Sequence, residues 1–252
     1  FRLKAYQIRV ETRTSRGTPL MALLPLEAQD RVTAILALSD FRPGNYLVLA
    51  TALGEIKRMG LEAFNSRASS LLAMDLAQGD EVVAARVAPG EAEVLMASRQ
   101  GRAIRFGADC LRPRSRTAGG FCGMKLDEGD RVVGMDIVVP DGYLLQLTAK
   151  GFGKLTPLKN FPVEKYFRPR IKHGYKGIIS FRAGDKTGPV VAAAAVSPSQ
   201  DFLFLSASGN VVRIPGKEVS AQGRSTRGVQ IMDLEAGDSA ATFAALPPKE
   251  KS

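Results

Sequence analysis

The 252 residues carry 35 Lys and Arg against 25 Asp and Glu, a formal net charge of +10, which favours a polyanionic partner such as nucleic acid or an anionic membrane surface. Two cysteines and one histidine are too few for a disulfide framework or a structural zinc site, and thiols so sparse fit a reducing cytoplasm. No apolar run approaches a membrane span and no signal-peptide pattern opens the chain, while 25 glycines and 14 prolines at 45% hydrophobic content indicate a folded, turn-rich chain.

From the N-terminus onward two units alternate. FRLKAYQI reads as the second half of a hairpin whose first half would precede Phe1, so the chain is expected to start inside a repeat. TSRGTPLMALLPLEAQD follows: a basic loop with a glycine, an apolar stretch and an acidic turn, leading into the apolar strand RVTAILAL. The first complete hairpin is YLVLATALGEIKR, followed by SRASSLLAMDLAQGD and the strand EVVAARVA. The second is EVLMASRQGRAIR, with RTAGGFCGMKLDEGD and RVVGMDIV behind it. YLLQLTAKGFGKL, KHGYKGIISFRAGD and PVVAAAAV make the third set, and FLFLSASGNVVRI, RSTRGVQIMDLEAGD and AATFAAL the fourth.

In each hairpin a hydroxyl residue (Thr51, Ser98, Thr148, Ser206) stands three positions before a glycine (Gly54, Gly101, Gly151, Gly209), and the glycine supplies the positive φ that a tight turn needs. Basic residues follow at Arg58, Arg105 and Arg213, with Lys154 one place earlier in the third copy; these side chains, with Arg102, either join a charged surface or face water. Asp80, Asp130, Asp185 and Asp238 close the second unit and read as turn residues, through short-range carboxylate hydrogen bonds and tolerance of left-handed backbone.

No window sustains a 3.6-residue period. About four strands recur every 47 to 58 residues, which is the signature of an all-β, propeller-like ring of small sheets. The expected organisation is one domain over 1–247, with approximate repeats 1–45 (truncated at its start), 46–93, 94–142, 143–200 and 201–247, and a tail at 248–252.

The stretches FRLKAYQI…LLPLE, EVLMASRQGRAIRF, LTAKGFGKLTPL, KGIISF and GRSTRGVQIMDLEAGD resemble the C-terminal domain of DNA gyrase A, part of a type IIA topoisomerase, over essentially the whole chain. The resemblance implies a β-pinwheel of about five to six blades that exchange strands. It implies that duplex DNA wraps around a basic rim, so that the holoenzyme introduces negative supercoils with ATP. Its partners would be double-stranded DNA, the remainder of gyrase A and gyrase B within the gyrase heterotetramer, in a bacterial cytoplasm at the nucleoid. No cofactor is expected in this domain, since ATP and Mg²⁺ are used elsewhere in the holoenzyme. One departure stands out: the family's QRRGGKG box has no intact copy, and IKHGYKG at 171–177 is the nearest. Either the box blade precedes Phe1, or the chain is the related domain of topoisomerase IV, which lacks an intact box; the match elsewhere favours gyrase.

Glycine admits a phosphate close to the backbone, and Arg or Lys supplies a charge-assisted donor. The candidate DNA-contacting residues are therefore Arg13, Arg16, Arg67, Arg114, Arg116, Arg168, Arg170, Lys172, Lys176, Arg224 and Arg227. KYFRPRIKHGYKG, with Tyr166, Phe167 and Tyr175 among its cations, is either an aromatic–basic single-strand site or a segment whose rings pack the blade. His173 reads as a loop residue. None of Tyr6, Tyr46, Tyr143, Tyr166 and Tyr175 lies in a catalytic motif, and no phosphate-binding GxxxxGK[ST] loop occurs, so the chain is not expected to be an enzyme by itself. A propeller used as a protein interaction platform is the competing class; it needs one charged patch, whereas wrapping needs a cation in every repeat.

Overall fold

The computed structural model describes residues 1–12, 14–164 and 175–247. In chain order its strands are β1 (Asn45–Thr51), β2 (Glu55–Gly60), β3 (Val82–Pro89), β4 (Glu93–Ser98), β5 (Arg102–Gly107), β6 (Phe121–Cys122), β7 (Val132–Ile137), β8 (Tyr143–Thr148), β9 (Phe152–Pro157), β10 (Ile178–Ile179), β11 (Val190–Val196), β12 (Asp201–Ser206), β13 (Val211–Pro215), β14 (Val229–Gln230) and β15 (Ala240–Ala245). They form antiparallel sheets ordered β3-β1-β2-β6, β10-β5-β4-β7, β11-β8-β9-β14 and β13-β12-β15.

The order shows strand exchange. Each hairpin (β1–β2, β4–β5, β8–β9) takes its fourth strand from the stretch beyond the next hairpin: β6 returns to β2, β10 to β5 and β14 to β9. Edges are covered by a neighbour's chain, and the repeats become interlocked. The third strands pack on one another, β3 on β7, β7 on β11 and β11 on β15, which puts that side of each sheet innermost and the borrowed strand at the outer edge. Apolar clusters fill the gaps between blades, for example Val48, Ile56, Met96, Ile104 and Phe106 between the first and second sheets, and Leu145, Leu147, Phe202 and Phe204 between the third and fourth.

The hydroxyl–glycine spacing now has a cause. Thr51, Ser98, Thr148 and Ser206 are buried, and their hydroxyl oxygens accept the amide of the residue four positions on, at 3.0, 3.3, 3.2 and 3.1 Å. Gly54, Gly101 and Gly151 sit at φ +93°, +82° and +78°, and each glycine carbonyl accepts two successive amides just past the borrowed strand: Gly123 and Met124, Ser180 and Phe181, Ile231 and Met232. The turn glycine is thus the anchor of the exchange.

Three of the four aspartates finish the same turn. The Oδ1 atoms of Asp80, Asp130 and Asp238 accept the amides of Leu53 (2.9 Å), Gln100 (2.9 Å) and Ser208 (3.1 Å). The left-handed backbone belongs to the glycines before them, Gly79, Gly129 and Gly237, not to the aspartates. Asp185 departs from the expectation: the Thr187 carbonyl takes the equivalent amide, that of Lys150 (3.1 Å).

The described residues of the first repeat form no sheet. Among the described residues of 1–44 there is no strand, only a 3-10 turn at Ala5–Gln7 and one helical turn, α1 (Leu20–Leu23). RVTAILAL, expected as a strand, instead lays Ala34 and Leu36 against Leu49, Met59, Met74 and Ala85. In the sheets that do form, a third strand pairs with the first strand of its own hairpin. The described residues make four sheets, and among them β13 is the edge of the fourth, with Val211 57% exposed.

Candidate nucleic-acid interface

After each hairpin the chain makes a 3-10 turn, at Leu61–Phe64, Ala108–Cys110, Leu158–Asn160 and Gly216–Glu218, and then crosses to the preceding blade. The crossing is marked by the same contact in three places: the amides of Arg114, Glu164 and Gln222 donate to the carbonyls of Arg58 (3.0 Å), Arg105 (2.7 Å) and Leu155 (2.8 Å). Because these acceptors lie on the outer hairpin strands, the basic loops that follow run along the outer edge.

In the loop ahead of β6, Arg112 and Arg114 are exposed and Arg116 is half-buried. Arg114 donates from Nη1 to the carbonyls of Gly119 (3.0 Å) and Gly120 (2.9 Å), and its guanidinium lies 4.6 Å from the Phe121 ring centre. Arg112, Pro113, Arg114, Ser115, Ala118 and Phe121 line a shallow cleft of about 650 Å³. In the loop ahead of β14, Arg227 is exposed, while half-buried Arg224 donates to the Ile179 carbonyl (3.3 Å) of the neighbouring borrowed strand. Between these loops Lys176 is exposed and pairs with the Asp127 carboxylate, an interaction that pulls the Asp127 pKa down.

Arg67 is exposed in the loop after the first 3-10 turn, and Arg16 is exposed in the strandless N-terminal segment, apart from any sheet edge. Arg13, Arg168, Arg170 and Lys172 lie outside the described residues, as do Tyr166, Phe167 and His173. Tyr175 packs against the first apolar cluster. Exposed Arg112, Lys125 and Arg182 are absent from the set expected from sequence; the Lys125 amide donates to the Tyr175 carbonyl (3.0 Å). Arg112 could have been found from the LRPRSR run, and Arg182 from nothing local, since it joins the outer edge only because its amide donates to the Thr226 carbonyl (2.9 Å) of the next basic loop.

The hairpin arginines are neither rim nor solvent groups in two of the three copies. Arg58 is 7% exposed, donates to the carbonyls of Gly90 (3.0 Å) and Ala108 (2.7 Å), and stacks 4.0 Å from the Tyr46 ring centre. Arg105 is ion-paired with Glu93 and donates to the Leu158 carbonyl (2.8 Å). Arg213 is more exposed and pairs with Asp201 at 2.6 Å. Arg102 donates to the Gly177 carbonyl (3.3 Å).

Beneath two of the loops are buried lysines. Lys57 Nζ donates to the carbonyls of Ala73 (2.7 Å), Arg116 (2.8 Å) and Ala118 (2.6 Å). Lys154 Nζ donates to the carbonyls of Gly223 and Arg224 (2.6 Å each) and to the Thr226 hydroxyl (3.0 Å). Burial, reinforced by Arg114 in one case and Arg224 in the other, lowers each pKa to about 8. Such a surface suits a charged, extended anion: the exposed donors are cationic and recur from blade to blade. Among the described residues no His, Cys, Asp and Glu group is placed to hold a metal, and no helix is long and apolar enough to cross a membrane.

The family model for the DNA gyrase C-terminal domain, beta-propeller, matches residues 1–39, 45–89, 92–138, 142–197 and 200–246. The DNA gyrase A protein of Mycolicibacterium smegmatis is 34% identical over 241 residues, covering 94% of this chain and 28% of the relative. Its counterpart in Escherichia coli K12 is 34% identical over 230 residues, covering 91% and 26%. The chain thus spans roughly a quarter of the length of these relatives. Among solved structures, a DNA gyrase A C-terminal domain superposes with a TM-score of 0.82 at 29% identity, over 97% of this chain and 78% of that one. A DNA topoisomerase IV C-terminal domain shares the fold, with a TM-score of 0.83 at 18% identity over 93% and 72%. With strand-exchanged blades, a basic loop beside each borrowed strand and a family match across all five repeats, this chain belongs to the DNA gyrase C-terminal domain family.

Proposed function

We propose that this chain is the DNA-wrapping domain of a gyrase A protein, bending duplex DNA along its outer edge so that the holoenzyme introduces negative supercoils with ATP. The observation that carries the reading is the recurrence of exposed cations beside successive borrowed strands: Arg112 and Arg114 beside β6, Lys176 beside β10, Arg227 beside β14. One domain over 1–247 presents them, and Arg13, Arg16, Arg67, Arg116, Arg168, Arg170, Lys172 and Arg224 extend the set. The chain performs no chemistry of its own; ATP and Mg²⁺ act elsewhere in an assembly with the rest of gyrase A and with gyrase B, in the bacterial cytoplasm at the nucleoid. Bending 20–30 bp by 40–90° costs on the order of 1–6 kcal/mol, which no single loop would offset and a series can share. Little base readout is expected, since no recognition helix is present among the described residues.

A protein-docking platform is less well supported, because the exposed cations are distributed over several loops rather than gathered in one patch. Topoisomerase IV is less well supported than gyrase, because the likeness to its domain is structural at 18% identity while gyrase relatives reach 34%. The deciding experiment is to bind the chain to nicked plasmid, ligate, remove the protein and read the linking number. A shift that grows with protein concentration supports wrapping. Salt-sensitive binding without a shift would reduce the proposal to DNA binding alone.

A further inference from the structure

We propose that Lys57 and Lys154 are positioning residues for the two rim loops, drawing the loop carbonyls inward and forming a second, buried tier of positive charge behind the exposed arginines. The inference rests on the DNA-binding reading above. Its ground is geometric. Lys57 holds the carbonyls of Arg116 and Ala118 in the loop ahead of β6, and Lys154 holds those of Gly223 and Arg224 ahead of β14. A carbonyl turned outward would present the negative end of its dipole to a phosphate; turned inward onto an ammonium, it no longer does.

The hairpin itself does not demand the cation. At the equivalent places in the second and fourth hairpins, three residues after the turn glycine, stand Ile104 and Val212. Burying an ammonium opposes the charged state, so the apolar alternative is the undemanding one for packing. The lysines occur under the loops that display Arg114 with Arg116 and Arg224 with Arg227.

The charged groups near Lys57 are Arg114, which opposes its protonation, and Asp75, which supports it; Lys154 faces Arg224. Phosphate settling on either loop would favour the ammonium form, so binding should take up protons near pH 8, at most about half a proton per site for a group titrating there. A role confined to packing would not couple the proton to DNA.

The test compares this chain with its Lys57→Met and Lys154→Met variants and the double variant, using a linear duplex. Affinity is measured against salt, and proton uptake by calorimetry at pH 8 in buffers of different ionisation enthalpy. Each substitution is expected to weaken binding about threefold or more, as a unit charge several ångströms from a phosphate implies, and to remove its share of uptake while the Arg227 contact remains. Lys57→Gln and Lys154→Gln, which keep an N–H donor, are read the same way if a methionine variant does not fold. Variants that bind as tightly as the parent with undiminished uptake would overturn the inference and leave the DNA-binding reading intact. A parent chain that fails to bind duplex at low salt would instead overturn that reading, and this inference with it.

Discussion

Arg86 on β3 and Asp136 on β7 pair across adjacent blades, Nε to Oδ1 at 2.7 Å, and the other carboxylate oxygen accepts the Ala195 amide of β11 at 3.2 Å. One carboxylate on the innermost strands therefore ties three blades together. Asp136 is the more enclosed partner, its side chain 15% exposed against 38% for Arg86. Asp136→Ala should cost about 2–3 kcal/mol, since it strips both a charged partner and backbone donors. Arg86→Ala should cost about 1 kcal/mol, as a partly exposed pair does. Urea unfolding of both variants checks the order; equal losses would mean that the Ala195 contact contributes little.

The turn glycines are unequal. A Cβ on Gly101 would lie 2.3 Å from the Phe181 carbonyl oxygen, whereas one on Gly209 meets nothing within 4 Å, although both residues have positive φ. Among the described residues no borrowed strand lies beside the fourth hairpin, and the space at Gly209 is open. Gly209→Ala should cost about 1 kcal/mol from backbone strain alone, and Gly101→Ala about 3 kcal/mol or more, because strain and displacement of the exchanged strand add. Matched thermal melts of the two variants decide this.

Arginines of the rim and of the interior should separate in solution. Arg227→Ala is expected to lower the salt slope of duplex binding by about one while leaving stability unchanged. Arg58→Ala should cost about 1–3 kcal/mol of stability, because the carbonyls of Gly90 and Ala108 lose their buried donor, with no change in slope. A salt titration beside a denaturation curve for each variant reads both quantities. A reduced slope in folded Arg58→Ala would place that side chain at the DNA after all.

The buried lysines also predict a pH dependence of folding. Their pKa values are lowered to about 8 from 10.5, so between those limits the unfolded chain binds more protons than the folded one. Stability should consequently rise with pH across that window. The Lys57→Met, Lys154→Met double variant should lose that rise, seen as the change in urea midpoint between about pH 7 and pH 9.5. A double variant that follows the parent would place the titration elsewhere.

Much of the blade was legible in local patterns. Thr51 and Gly54, with their counterparts, announced the hairpins because the hydroxyl-to-amide bond and the positive φ are satisfied within four or five residues. Asp80 and its relatives announced turns, but their true acceptor role reaches 27 residues back to Leu53, a distance over which a turn signal says nothing. RVTAILAL has the composition of a strand but pairs with none among the described residues, and pairing is not something composition reveals.

The repeat, the all-β class, the hairpin turns and a cation-rich loop in each unit are readable along the chain, since all of these follow from short-range backbone geometry and charge. Which cations face outward is settled by the packing of the blades. Arg58 and Arg114 look alike in the chain, yet one is enclosed by the carbonyls of Gly90 and Ala108 and the other lies exposed on the outer edge. The difference arises because each loop crosses to the preceding blade before its fourth strand pairs, so burial is set by a neighbour about fifty residues away along the chain and not by the residues on either side.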